Sequence, residues 1–399
     1  MGVGRFVYTP ILPLMHAQAG LSAGAGADLA TANYVGYLIG ALAGTFVPRL
    51  VGSSIVLRSS LLALVASLAG MALTQSTAVW LLLRLGAGAF SAMIFVIAVS
   101  ALLSHLREHP AHLPGWAFGG VGAGIALSGL LVLVLRTVGT WRSAWWASAV
   151  LAVLLTSAAW GLRPEPAVRR APTASGTEPR SSGARNHRWF SALFASYTLE
   201  GIGYIIAGTF LVAAINQTLP GSIGSGAWVL VGLAAIPSSA FWAGLGRRWS
   251  RPDLLLAALG VQAVGIALPA LAGGVAAALI SAVLFGATFI GVSTLALGAG
   301  AHLRFPRAVA LLTAGYSVGQ ILGPLVASPL LRHGYHQALL LSAGVVLAAA
   351  LAAFLLRIGF PHAAPEGTER AGGDHRTAPG VVLPTGSGSP PSPGCSAEA

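Results

Sequence analysis

AVWLLLRLGAGAFSAMIFVIAVSALL, residues 78–103, runs for 26 residues with one charged side chain, Arg84. A helix needs roughly 20 mainly apolar residues to cross a bilayer, and this stretch supplies them. Working outward, eleven further stretches read the same way. They are about 1–17, 29–48, 56–75, 114–135, 141–162, 189–214, 226–245, 253–272, 275–298, 308–331 and 336–357. Composition agrees: hydrophobic residues make up 55% of the 399 and charged residues 8%. A soluble domain carries roughly 25% charged residues. So few charges cannot cover the surface of a large soluble enzyme. A disordered chain and a disulfide-built secreted domain are excluded as well. The expectation is an all-α membrane protein with twelve spans.

The chain has no Lys, so its net charge of +12 rests on 22 Arg. A basic chain often binds nucleic acid, but here the arginines cluster between apolar runs, as in a membrane protein with basic cytoplasmic loops. Residues 163–188, RPEPAVRRAPTASGTEPRSSGARNHR, form a polar linker between an N-terminal half, 1–162, and a C-terminal half, 189–358. Residues 359–399 read as a disordered cytoplasmic tail rich in Pro, Gly and Ser. Loops on the linker side, with the C-terminus, hold 17 Arg and the opposite loops hold 3. That bias predicts both termini in the cytoplasm of a multi-pass inner-membrane protein. The lone Cys395 permits no intrachain disulfide, and no cleavable signal peptide is visible.

The halves repeat each other. Gly2-Val3-Gly4-Arg5 matches Gly201-Ile202-Gly203-Tyr204 at an offset of 199, Gly36 matches Gly232 at 196, and Gly124 matches Gly319 at 195. A nearly constant offset in chain order predicts a parallel repeat, two six-helix bundles about an axis along the membrane normal. The first span is short, about 17 residues. Arg5 would lie roughly 18 Å below Ala17, near mid-depth. About ten upstream residues are therefore expected to precede Met1.

GVGRFVYTPILPLM (2–15), NYVGYLIGALAG (33–44), YTLEGIGYIIAGTFL (197–211), WVLVGLAAIPSSAFW (228–242) and LGVQAVGIALP (259–269) resemble the YbfB/YjiJ family of the major facilitator superfamily. The resemblance covers both halves. It implies a twelve-helix transporter of the bacterial inner membrane that works by alternating access, and it implies no particular substrate. Arg84-Leu85-Gly86-Ala87-Gly88 looks like the superfamily's motif in its fourth helix. The usual Asp-Arg pair between spans 2 and 3 is missing, and Pro48-Arg49 stands there instead.

Glu200 is the only carboxylate deep within a span. Such a group must be paired, hydrated or protonated, so it is a candidate proton carrier or the static partner of an arginine. Arg5, on the repeat-equivalent helix, is its natural counter-charge. It could also clamp an anionic substrate, or reach the cytoplasmic surface. Arg84 faces either the cavity or the periplasmic headgroups. Asp28 reads as a solvated acid near a helix N-terminus. Tyr8, Asn33, Tyr34, Tyr37, Tyr197, Tyr204, Gln262, Tyr316 and Gln320 need partners within hydrocarbon and should face the bundle interior.

Gly36, Gly40 and Gly44, with Gly315, Gly319 and Gly323, make small-residue faces, and Gly120 and Gly124 repeat the spacing. By resemblance, the first two faces are expected to meet across the two halves. The run Gly119–Gly124 lacks a preceding strand and reads as packing, not as a dinucleotide loop. His105, His109 and His112 lie in a loop without Cys or a paired acid, so no metal site and no cofactor are expected. These signs predict a monomeric permease for a small solute, coupled to protons, with Arg5 favouring a negative group. The alternatives are a permease exporting drugs or cations, or a sensor or enzyme embedded in the membrane. No catalytic constellation supports an enzyme.

Overall fold

A computed structural model describes residues 1–105, 113–135, 139–162, 183–219, 221–246, 248–303, 305, 307–358 and 360. Its helices are α1 (Gly2–Phe6), α2 (Tyr8–Ala19), α3 (Ala23–Phe46), α4 (Pro48–Val51), α5 (Ser54–Leu73), α6 (Thr77–His105), α7 (Leu113–Leu135) and α8 (Trp141–Ala159). The second half contributes α9 (Gly183–Thr218), α10 (Ile223–Leu245), α11 (Arg251–Leu271), α12 (Gly274–His302), α13 (Ala308–Ala327) and α14 (Tyr335–Leu356), with a 3-10 turn Ser328–His333 before the last. Among the described residues, nine helices are long and apolar enough to cross a membrane. The other three passes are α1–α2, interrupted at Val7, the glycine-rich α3, and the short, tryptophan-rich α8. Pro10 and Pro13 lack the N–H groups that would bond back to Phe6 and Thr9, which weakens the first pass along its length.

Local chemistry sets several starts. Ser22 accepts from Ala25 N at 3.1 Å, Ser53 from Val56 N at 3.3 Å, and Ser250 from Asp253 N at 3.3 Å. Thr140 and Ser143 form a reciprocal capping box at α8. Gly20, with φ 66°, ends α2 in the left-handed region that Gly occupies at no steric cost.

Large apolar side chains such as Ile55, Leu73, Leu82, Leu271 and Leu351 stand exposed around the bundle, as lipid-facing residues do. The buried interior runs along α9, whose apolar window is 83% buried against 39% for α6, α10 and α14. The halves meet where α7 packs along α10, α3 against α13, and α2 against α9.

Two expected boundaries shift. Helix α9 begins at Gly183, inside the expected linker. The extension has a partner: the His187 ring meets Phe305 at 5.0 Å, and Phe305 in turn stacks on Phe190 at 4.0 Å. Phe360, expected in the tail, is buried beside Trp189 at 6.2 Å. The rest of the linker and tail, with His109 and His112, lies outside the described residues, and the backbone of His105 ends α6. No cluster of metal-ligating side chains occurs among the described residues.

The glycine faces do not meet each other. A side-chain atom at Gly36 or Gly40 would strike the backbone of Leu85 or Ala89 on α6, and Gly44 lies against Val96. Gly315, Gly319 and Gly323 lie against Phe194, Thr198 and Ile205 of α9. Each face therefore closes a pair within its own half. Gly124 approaches Gly2, whereas Gly120 is exposed with nothing beside it and is not a packing glycine. Gly119 and Gly122 instead meet Ile236 of α10. Small residues draw two backbones together, but their spacing does not name the partner.

Candidate functional site

The site forms where α1–α2 crosses α9. The first contacts join residues one repeat apart. The Arg5 guanidinium donates to the Tyr204 hydroxyl at 3.3 Å, and the Thr9 hydroxyl donates to Gly208 O at 2.6 Å, both pairs 199 residues apart. Elements beside a two-fold axis touch their own equivalents, so these pairs mark the axis between the halves.

Arg5, Arg84 and Glu200 are 5%, 1% and 0% exposed. Arg5 also donates to Gln320 Oε1 of α13 and lies over the Tyr37 ring at 4.1 Å and the Tyr34 ring at 5.3 Å. Its Nε has no hydrogen-bond partner among the described residues. Arg84 lies over the Tyr8 ring at 4.6 Å, and its Nε and Nη1 are likewise unpartnered. Tyr8 is fixed from two sides, donating to Gly26 O at 2.8 Å and stacking on Trp145 at 6.5 Å. Asn33 donates from Nδ2 to Arg84 O at 2.9 Å and leaves Oδ1 free of a partner. The Tyr34 hydroxyl meets Thr209 of α9 at 3.0 Å.

Glu200 turns into the second half. Its Oε1 accepts from Gln262 Nε2 of α11 at 3.3 Å, and its Oε2 has no hydrogen-bond partner among the described residues. Near it, parallel rings form a slab: Tyr197 on Tyr316 at 4.4 Å, Tyr316 on Tyr204 at 5.3 Å, and Tyr204 on Phe289 at 5.8 Å. Glu200 and Tyr204 are one turn apart, yet only the longer tyrosine reaches Arg5. Among the described residues no ion pair joins Arg5 to Glu200. The expected direct counter-charge is replaced by a phenol between them. Arg84 does not extend to the surface either: it is buried over the Tyr8 ring, which stacks on Trp145.

The structure thus gathers Arg5, Tyr8, Asn33, Tyr37, Arg84, Tyr204 and Gln320, with Glu200 and Tyr316 adjoining on the second half. Sequence reasoning missed Thr9, Thr209, Trp145 and Phe289. The repeat offset could have found Thr9, since it pairs with Gly208 at the interval that joins Arg5 to Tyr204.

A family model described as uncharacterised MFS-type transporter YbfB matches residues 1–354. The chain belongs to this family. No curated protein matches it. Among solved structures, a crystal structure of a mutant of the nucleoside transporter NupG is similar at 14% identity, with a TM-score of 0.68. The alignment covers 88% of this chain and 97% of that one. This likeness establishes the fold: twelve transmembrane helices in two pseudo-symmetric halves of the major facilitator type. The YbfB-type protein is a membrane-embedded transporter.

Proposed function

We propose that this YbfB-type protein is a monomeric secondary transporter of the bacterial inner membrane, with both termini cytoplasmic, that moves a small anionic solute coupled to protons. The observation that carries the reading is the charge arrangement at the two-fold axis. Two buried guanidiniums lie on the first half, and a buried carboxylate with a free oxygen lies on the second. Fixed charges inside a bilayer are costly, and their usual roles are substrate binding and proton relay. In this reading Arg5 and Arg84 attract the anion. Glu200 exchanges a proton as the halves rock, and the bound anion travels with it. The bias of arginines toward the linker side supports the orientation. Export of a cation would use Glu200 and the ring slab, but it would leave the guanidiniums facing a like charge.

The test uses proteoliposomes loaded with a pH-sensitive dye and a panel of small carboxylates, inorganic phosphate and neutral nucleosides. An anion should drive proton movement in the wild type, and Glu200→Gln should abolish it. Undiminished anion-driven proton movement in Glu200→Gln would remove that residue from the coupling. Response to nucleosides alone would remove the anion.

A further inference from the structure

We infer that the solute is a dicarboxylate, with one carboxylate on Arg5 and the other on Arg84. The inference rests on the anion-transport reading above and deepens it. Tyr8 follows Arg5 by three residues along the first pass, and Arg84 of α6 lies over the Tyr8 ring at 4.6 Å. The two guanidiniums therefore flank one short stretch of the first pass from two different helices.

Each retains unused hydrogen-bonding capacity: Nε of Arg5, and Nε and Nη1 of Arg84. Among the described residues no carboxylate pairs with either. The groups facing them are neutral, namely the Tyr34, Tyr37 and Tyr204 phenols, Gln320 and Asn33. Burying an unpaired cation costs several kcal/mol, so two such cations beside one pass call for a ligand with two negative groups. A carboxylate matches one guanidinium fork, with two parallel hydrogen bonds. The forks stand over different rings, Arg5 over Tyr37 and Arg84 over Tyr8. Each fork can take a carboxylate of its own, and two carboxylates on one carbon body would serve both.

The arrangement also predicts the behaviour of the empty protein. If Arg84 waits for a ligand, replacing it with a neutral residue removes an uncompensated charge without breaking a pair. If it is a structural anchor, its loss lowers stability.

The experiment is thermal unfolding of the purified full-length protein in detergent, without any gradient. The probes are succinate and terephthalate, their one-carboxylate counterparts butyrate and benzoate, and inorganic phosphate. A dicarboxylate should raise the melting temperature of the wild type at millimolar concentration, and its counterpart should do so at least about tenfold less potently. Arg84→Gln should melt no lower than wild type when empty and lose that dicarboxylate preference. Arg84→Lys should keep the charge but lose part of the affinity. Equal potency of mono- and dicarboxylates, stabilisation by phosphate alone, no stabilisation by any probe, or an undiminished preference in both variants would each overturn the assignment. Should Arg84→Gln not fold, the wild-type comparison and Arg84→Lys decide. Binding without proton movement in the dye assay would leave this inference standing and remove the coupling. Proton movement driven by carboxylates without the dicarboxylate preference would do the reverse.

Discussion

Gly88→Ala should be among the most damaging single-methyl changes in this protein. The glycine sits on α6 with its Cα pressed to the backbone of α3, so that an added Cβ would overlap the Asn33 carbonyl and lie 2.8 Å from Tyr37 N. Those neighbours are main-chain atoms of a helix and cannot rotate away. Overpacking costs typically 1–3 kcal/mol where side chains can adjust, so about 3 kcal/mol is expected here. The better helix propensity of Ala returns about 1 kcal/mol. A net loss of about 2 kcal/mol lowers the folded-to-unfolded ratio roughly thirtyfold. The control is Gly120→Ala, where nothing lies within 4 Å of the new atom. That change should be neutral or slightly stabilising. Melting of both variants beside wild type in one detergent is the assay. Equal melting of Gly88→Ala and wild type would refute the close approach of α3 and α6. An equal loss in Gly120→Ala would show that the cost has nothing to do with packing. The strain also reaches the site, because Asn33 holds the Arg84 carbonyl at 2.9 Å. Gly88→Ala should therefore weaken anion binding as well.

Other changes test other parts of the structure. Trp145→Ala removes the ring stacked beneath Tyr8 and should cost about 3–5 kcal/mol, read by melting, with loss of anion binding. Tyr335→Phe deletes a 2.6 Å hydrogen bond to His16 between the halves, at the end of the bundle opposite the linker. It should shift the balance between open and closed states by about 1 kcal/mol, or roughly fivefold, measured as cysteine labelling at that end. Gln262→Leu takes the amide donor from Glu200 and should change the pH dependence of transport more than the affinity for the anion. Arg357→Gln breaks a pair with Asp253 whose side chains are 47% and 31% exposed. It should move the melting point by less than about 1 kcal/mol allows.

Much of the architecture was legible in the residues because bilayer thickness and backbone satisfaction leave few choices. Runs such as 78–103 could only be membrane helices, and the arginine-rich break between the two sets of six announced the repeat. What the sequence left open was decided by partners far away in the chain. Gly40 could serve any close neighbour, and only the packing shows Ala89 beneath it rather than the glycines of α13. Arg84 has a side chain long enough to reach the headgroups, and in the structure it is buried over the Tyr8 ring. Glu200 was conspicuous as a lone carboxylate, but its donor, Gln262, lies 62 residues away on another helix.

The separation of Arg5 from Glu200 bears on how coupling could work. A direct ion pair at the axis would tie the halves together and would have to break in every cycle. Here the tie is a phenol: Tyr204 takes a hydrogen bond from Arg5 at 3.3 Å and stacks in the same ring slab as Tyr316. A hydrogen bond from a guanidinium to a neutral phenol contributes about 1.5–3 kcal/mol net, less than the roughly 3–5 kcal/mol that breaking a buried ion pair would cost. The halves can therefore part at Arg5 and Tyr204 without stranding a charge that had been paired. An anion on Arg5 would compete with Tyr204 and Gln320 for the same N–H groups. Its arrival would loosen the contact between the halves on which rocking depends. On this view the weak link is the useful one, and strengthening it should slow transport. Tyr204→Phe keeps the ring in the slab and deletes the hydrogen bond from Arg5, and the prediction is a protein that melts slightly lower and transports faster. Slower transport by that variant would show that separation at this contact does not limit the cycle.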